Sequence, residues 1–199
     1  MRPIERGEVL SITDYEPIRD RFRARVIQEK KQRRVAIGPN VTAVFENRDT
    51  VLLQIQEMVR TERITREGGI LHEIETYNQL VPREHELSAT VLIEIDEKAD
   101  REKFLFEAKG LDRAFALVVD GVRCHGKHDE ARESPDRTTA VHYLKFPLEP
   151  SAEAALRAVL GKTRKPGEVS VELVVEHPRY SAKAALPASL VQSLAEDLA

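Results

Sequence analysis

Between residues 14 and 34 apolar side chains recur at three- and four-residue spacing, as Tyr15, Ile18, Phe22 and Val26, within an otherwise charged stretch. That spacing predicts a helix with one buried stripe. Two short apolar runs follow, VAIG and VTAVFEN, separated by Gly38, Pro39 and Asn40, and they read as a β-hairpin because these residues supply turn geometry. Asn47 or Asp49 can cap a second helix running to about Arg66, Glu67-Gly68-Gly69 breaks it, and a third helix from Ile70 to Leu80 ends before Pro82. The three segments from 47 to 82 make a helical hairpin.

From Leu87 the period becomes two. Ala89, Val91, Ile93 and Ile95 alternate with Ser88, Thr90, Glu94 and Asp96, the pattern of a half-buried strand. Further on come a short helix over 98–109, a hairpin FALVV/VRCHG turning at Asp120-Gly121 in type I′ geometry, and a polar loop over 127–138. A strand over 139–148, a helix over 152–160 capped by Ser151, a strand over 168–176 and a terminal helix over 188–198 complete the order. The fold class is therefore α+β: an N-terminal basic helix, β-hairpin and helical hairpin, followed by a mainly antiparallel sheet with helices covering one face. The change of period near residue 86 suggests two units, 1–86 and 87–199.

Composition narrows the function classes. With 41% apolar and 33% charged residues, the chain can bury a core. A single cysteine precludes an internal disulfide, the N-terminus lacks a signal-like apolar run, and no stretch approaches the roughly 20 apolar residues of a membrane span. The expectation is a cytoplasmic protein. There is no Trp and only six Phe and four Tyr, so stacking on nucleic-acid bases has few residues to use.

Two polar constellations stand out. Measured at 100° per residue from Val51, Glu62 falls at about 20° and Arg66 at about 60°, inside the apolar stripe of the second helix. A hairpin centred on residues 67 and 68 would bring Glu62 toward Glu73 and Met58 toward Tyr77. Glu62, Glu73, Tyr77 and Arg66 are thus candidate residues of an enzyme or metal-binding site, since paired carboxylates can hold a metal ion or share a proton and an arginine can orient an anion. The competing reading is a surface ion pair between Glu62 and Arg66. The second constellation is the basic helix, where Arg19, Arg21, Arg23, Arg25, Lys30, Lys31, Arg33 and Arg34 stand against Asp20 and Glu29. It could dock an acidic partner or, less readily given a net charge of −3, a nucleic acid; it could also be an exposed face neutralised within the fold.

Other signals lead away from known chemistries. No Gly-rich phosphate loop, nucleophile elbow or dinucleotide fingerprint occurs. Cys124 and His125, adjacent on a strand, point to opposite faces and cannot readily share a metal ion, so no metal or cofactor is expected. Cys124 reads as buried and inert, and His142 as a hydrogen-bonded core residue.

The segments RRVAIGPNVTAVFENRDT, VLLQIQEMVRTERI, the E-x-x-x-Y-N-x-L-V-P run ending at Pro82, and VHYLKFPL resemble a bacterial protein family of about 190–200 residues classed as a domain of unknown function. The resemblance implies a gene neighbourhood of rubrerythrin-like and iron-sulfur oxidoreductase proteins, and so an accessory role beside such a partner. It carries over no functional residue.

Overall fold

The computed structural model describes residues 1–128 and 136–199. Most of the polar loop expected over 127–138 lies outside these residues. Among them the fold is α+β, with six α-helices and two four-stranded antiparallel sheets. The elements run α1 (Ile12–Gln32), β1 (Arg34–Ala36), β2 (Val41–Glu46), α2 (Arg48–Thr61), α3 (Glu67–Asn78), β3 (Glu86–Ile93) and α4 (Lys98–Glu107). They continue with β4 (Phe115–Val119), β5 (Val122–His125), β6 (Val141–Pro147), α5 (Pro150–Leu160), β7 (Val171–His177), β8 (Tyr180–Ala185) and α6 (Ala188–Glu196).

The first sheet has the order β1-β2-β3-β6 and the second β5-β4-β7-β8. The first draws strands from both sides of residue 86, because β3 pairs along its length with β2. β8 was not expected from the sequence: its alternation, Tyr180 through Ala185, rests on alanine, too weakly apolar to show a period. Among the described residues no helix is long and apolar enough to cross a membrane.

One core joins the inner faces of both sheets. Val41, Ala43 and Phe45 of β2, Leu87, Ala89 and Val91 of β3, and Leu144 and Phe146 of β6 pack in the same cluster as Phe115, Leu117, Leu173 and Val175 of the second sheet and the apolar faces of α5 and α6. The outer face of the first sheet lies beneath the N-terminal helices. There Val51, Ile55 and Val59 of α2, Ile70 and Ile74 of α3, and Leu80 and Val81 form a separate apolar cluster, against which Tyr77 and Tyr143 pack.

Local geometry follows the turn chemistry. Asp120 (φ 48°) and Gly121 (φ 82°) both take the positive angles a type I′ turn requires, and Val119 pairs with Val122 across it. The end of α2 differs from expectation. The helix stops at Thr61, Glu62 is its C-cap, and Arg63 turns left-handed at φ 51° while the Ile64 amide donates to the Val59 carbonyl at 2.9 Å. Such a closure terminates a helix wherever a following apolar residue can pack back on it. The glycine pair opens α3 instead of breaking α2, and a Cβ on Gly69 would stand 2.6 Å from Ile64 Cγ2. Helix α5 likewise begins earlier, with Glu149 rather than Ser151 at the cap, since Pro150 suits the first helical position.

Candidate functional site

The register of the first sheet builds one line of polar side chains on its outer face. Glu46 of β2 lies opposite Ser88 of β3, Ser88 lies opposite Lys145 of β6, and Lys145 lies opposite Lys127 through a bridge next to β5. Residues directly opposite in antiparallel strands project to the same side. A carboxylate, a hydroxyl and two ammonium groups therefore stand in sequence across four chain segments. The next line, Val44, Thr90 and Tyr143, is less polar, and the one beyond, Thr42, Leu92 and Val141, is mostly apolar.

Helices α2 and α3 roof this face without filling it. A cavity of about 300 Å³ lies over Ser88 and Lys145, walled by Tyr77, Leu80, Tyr143 and Pro147, with Glu86 and Lys127 at its border. A second, of about 490 Å³, lies over Glu46 and Thr90, with Val44, Leu92 and Val141 along it and Lys30 and Lys31 from α1 at its side. Leu80 and Tyr143 line both. The first volume is at the lower end of those that hold small ligands.

Each polar group of the line has a distinct state. Ser88 is 1% exposed, and its Oγ has no hydrogen-bond partner among the described residues. Glu46 is 4% exposed and accepts hydrogen bonds from the hydroxyls of Thr50 and of Thr90, the latter at 2.6 Å. Lys145 Nζ donates to the Val81 carbonyl at 2.7 Å and meets Glu86 Oε1 at 3.0 Å. Burial pushes the Lys145 ammonium below its ordinary pKa, against the pull of Glu86. An ammonium carries three donors, so one remains for a ligand. Hydroxyls buried without a partner are uncommon because desolvation of the group is then uncompensated.

A family profile described as protein of unknown function (DUF3501) matches residues 3–198. The chain belongs to the DUF3501 family. It is also similar to a crystal structure of a novel protein of unknown function from Burkholderia pseudomallei K96243, at 32% identity over 100% of both chains with a TM-score of 0.89. No curated protein matches it.

The residues singled out by sequence in this DUF3501 chain fall elsewhere. Glu62 is exposed at the C-cap of α2, and Arg66 is exposed at the N-cap of α3, so the wheel that joined them ends before reaching either. Glu73 is half-buried on α3 and has no hydrogen bond or ion pair with Glu62. Of the four, Tyr77 alone lines the cavity.

The basic helix is largely neutralised internally. Arg19 forms a two-point pair with Glu57 at 2.9 and 2.8 Å, Arg23 lies 4.0 Å from the same carboxylate, Arg25 meets Asp49 at 2.6 Å, and Arg34 meets Glu94 at 2.5 Å. Arg33 is 1% exposed and belongs to the interior, not to the helix surface. Arg21, Lys30 and Lys31 make no ion pair among the described residues.

The line Glu46, Ser88, Lys145 escaped sequence reading because its members occupy the polar positions of three strands, which normally face water. The available signal lay in the helices. An amphipathic helical hairpin needs a surface to cover, and the hairpin between β2 and β3 covers the outer face of their own sheet.

Proposed function

We propose that the protein binds a small ligand in the cavity between α3 and the outer face of the first sheet, and that the ligand combines an anionic group with an apolar body. The observation that carries this reading is the Ser88 hydroxyl, buried and unpartnered beside Lys145 on the cavity floor. Lys127 and Lys145 against Glu86 leave that end of the cavity net positive, and Tyr77, Leu80, Tyr143 and Pro147 supply apolar walls. A ligand anion there gains charge-assisted hydrogen bonds in a site shielded from water.

Calorimetric titration with octanoate tests this. Binding to the wild type is expected, weakened about tenfold by Lys145→Met, the loss of one charge-assisted hydrogen bond. Lys127→Met, at an exposed position, preserves the fold and is expected to weaken binding about threefold, the share of a more solvated charge. Equal octanoate affinity in both variants and the wild type would overturn the reading.

A second reading rests on Arg21, Lys30 and Lys31, the cations of α1 with no acidic partner among the described residues. These would dock an acidic protein surface, and the resemblance noted in the sequence makes a rubrerythrin-like or iron-sulfur protein the partner to try. Affinity purification at low salt with and without charge reversal of Arg21, Lys30 and Lys31 tests it; identical recovery of such a protein in both removes it.

A further inference from the structure

Lys145 occupies the middle of a three-residue stretch of the polar line, with Ser88 opposite it on β3 and Lys127 opposite it on the other side. Residues facing each other across antiparallel strands have Cβ atoms about 4.5–5.5 Å apart, so adjacent groups of one small molecule can meet all three side chains. All three line the same cavity, which Tyr77, Leu80, Tyr143 and Pro147 wall with apolar surface. A plain carboxylate uses the two lysines for its charge and leaves the buried Ser88 hydroxyl with little to do.

Lys145 is also equipped to react. Its side chain is 23% exposed, and burial loosens its hold on a proton. A lysine desolvated among apolar groups is a nucleophile toward carbonyl carbon. Glu86 Oε1, 3.0 Å from Nζ and at the border of the same cavity, is placed to take that proton. The Val81 carbonyl, at 2.7 Å, anchors Nζ by one N–H. Val81 and Glu86 occupy two of the three positions around the nitrogen, and a one-third turn about Cε–Nζ brings the lone pair to the third.

Resting on the cavity reading above, we infer that Lys145 forms an imine with a 2-oxo acid bearing an apolar chain, whose carboxylate pairs with Lys127 and whose carbonyl oxygen meets the Ser88 hydroxyl. In a 2-oxo acid the carbonyl and the carboxylate are joined by one bond, as neighbouring cross-strand positions require. Glu86 takes one proton from the Lys145 ammonium, and the freed lone pair forms the C–N bond to the carbonyl carbon. A second proton passes from nitrogen to the former carbonyl oxygen, giving a hydroxyl held by Ser88. That C–O bond then breaks, and the hydroxyl leaves as water with the proton that Glu86 returns. The product is a protonated imine, and no oxidant or reductant is needed. The apolar chain lies against Tyr77, Leu80, Tyr143 and Pro147.

The test incubates the full-length wild type with 2-oxooctanoate and sodium cyanoborohydride, which reduces an imine to a stable secondary amine, and maps the modified lysines by peptide mass spectrometry. Preferential modification of Lys145 is expected, suppressed by excess octanoate while the slow labelling of other lysines is unchanged. Octanal, which lacks the carboxylate, is expected to label Lys145 about tenfold more slowly, the factor lost with one charge-assisted contact. Lys127→Met is expected to remove that advantage of 2-oxooctanoate over octanal. The wild-type comparison requires no variant, so a poorly folding substitution cannot obscure it. A Lys145 that serves only to tie Val81 and Glu86 together gives labelling spread evenly over the lysines or none at all, and either result overturns the inference. Calorimetric binding of octanoate then decides the cavity reading separately.

Discussion

Arg33 and Asp197, 164 residues apart in sequence, meet in a buried two-point ion pair, with Arg33 Nη1 donating to Asp197 Oδ1 at 3.3 Å and Nη2 to Oδ2. The same guanidinium donates to the Phe45 carbonyl at 2.8 Å and to Ser193 Oγ at 2.6 Å. It thereby ties the end of α1 to β2 and α6. Removing one member leaves the other charge buried alone, which typically costs about 3–5 kcal/mol. Arg33→Met is expected to lower the urea midpoint by a corresponding amount. The double variant Arg33→Met with Asp197→Leu should recover much of that loss, and a double variant as unstable as the single one would contradict this account.

Ser88→Ala removes a hydroxyl that has no hydrogen-bond partner among the described residues. Relief of an uncompensated buried group is expected to raise stability by about 1 kcal/mol in urea unfolding, opposite in sign to most core substitutions. A loss of stability instead would mean that the hydroxyl makes a favourable hydrogen bond in solution.

Gly38 adopts φ +73°, and an added Cβ would stand 2.6 Å from Tyr180 Oη, which donates to the Ile37 carbonyl. Gly38→Ala therefore combines a disfavoured backbone with a collision, and a cost of about 2 kcal/mol or more is expected by thermal or urea unfolding. Adding Tyr180→Phe relieves the collision only, so the double variant should regain part of that stability but not all.

Glu8 is held at a pKa of about 2, first by its hydrogen bond from Arg48 and then by the Glu5 amide. A carboxyl whose folded value lies below the unfolded 4.5 stabilises the protein fully above pH 4.5 and loses that contribution as pH falls toward 2. Wild type should exceed Glu8→Gln by at most about 1 kcal/mol at pH 6, a difference limited by solvent screening. The gap should close between pH 4 and pH 2; a gap that widens on acidification would refute the assignment.

Arg19 and Arg21, two residues apart on α1, should separate stability from surface charge. Arg19→Glu breaks the two-point pair with Glu57, whose other partner is the Tyr15 hydroxyl at 2.9 Å, and places like charges together. A clear fall in the urea midpoint is expected. Arg21→Glu is expected to change the unfolding midpoint by less than about 0.5 kcal/mol. Equal effects would show that α1 responds to net charge rather than to particular pairs.

Much of the fold was legible because its signals are local. The Asp120-Gly121 turn, the alternation of β3 and β7, and the burial of Cys124 opposite Leu117 all follow from a few neighbouring residues, and burial keeps the Cys124 thiol protonated as expected; of the stripe expected on α1, Tyr15 and Val26 are buried but Ile18 is exposed. The end of α2 was not legible: Arg63 turns left-handed without a glycine, because Ile64 packs back beside Gly69. The site was less legible still. Glu46, Ser88 and Lys145 come from segments far apart in sequence, and each reads alone as an ordinary outward polar position on a strand. The roof that encloses them is a tertiary fact. The acidic partners of α1 are equally remote, and so its row of cations looked like an exposed surface when Arg19, Arg23 and Arg25 were already engaged.

The register that aligns Glu46 with Ser88 and Ser88 with Lys145 also sends Leu87, Ala89 and Leu144 inward. Because side chains alternate across a strand, sliding β3 by one residue would bury Ser88 and Thr90 in the core and expel Leu87. The polar line and the apolar core are thus two sides of a single alignment, so a mispaired sheet cannot retain one while losing the other, and the same pairing that forms the interior keeps the outward polar groups in line.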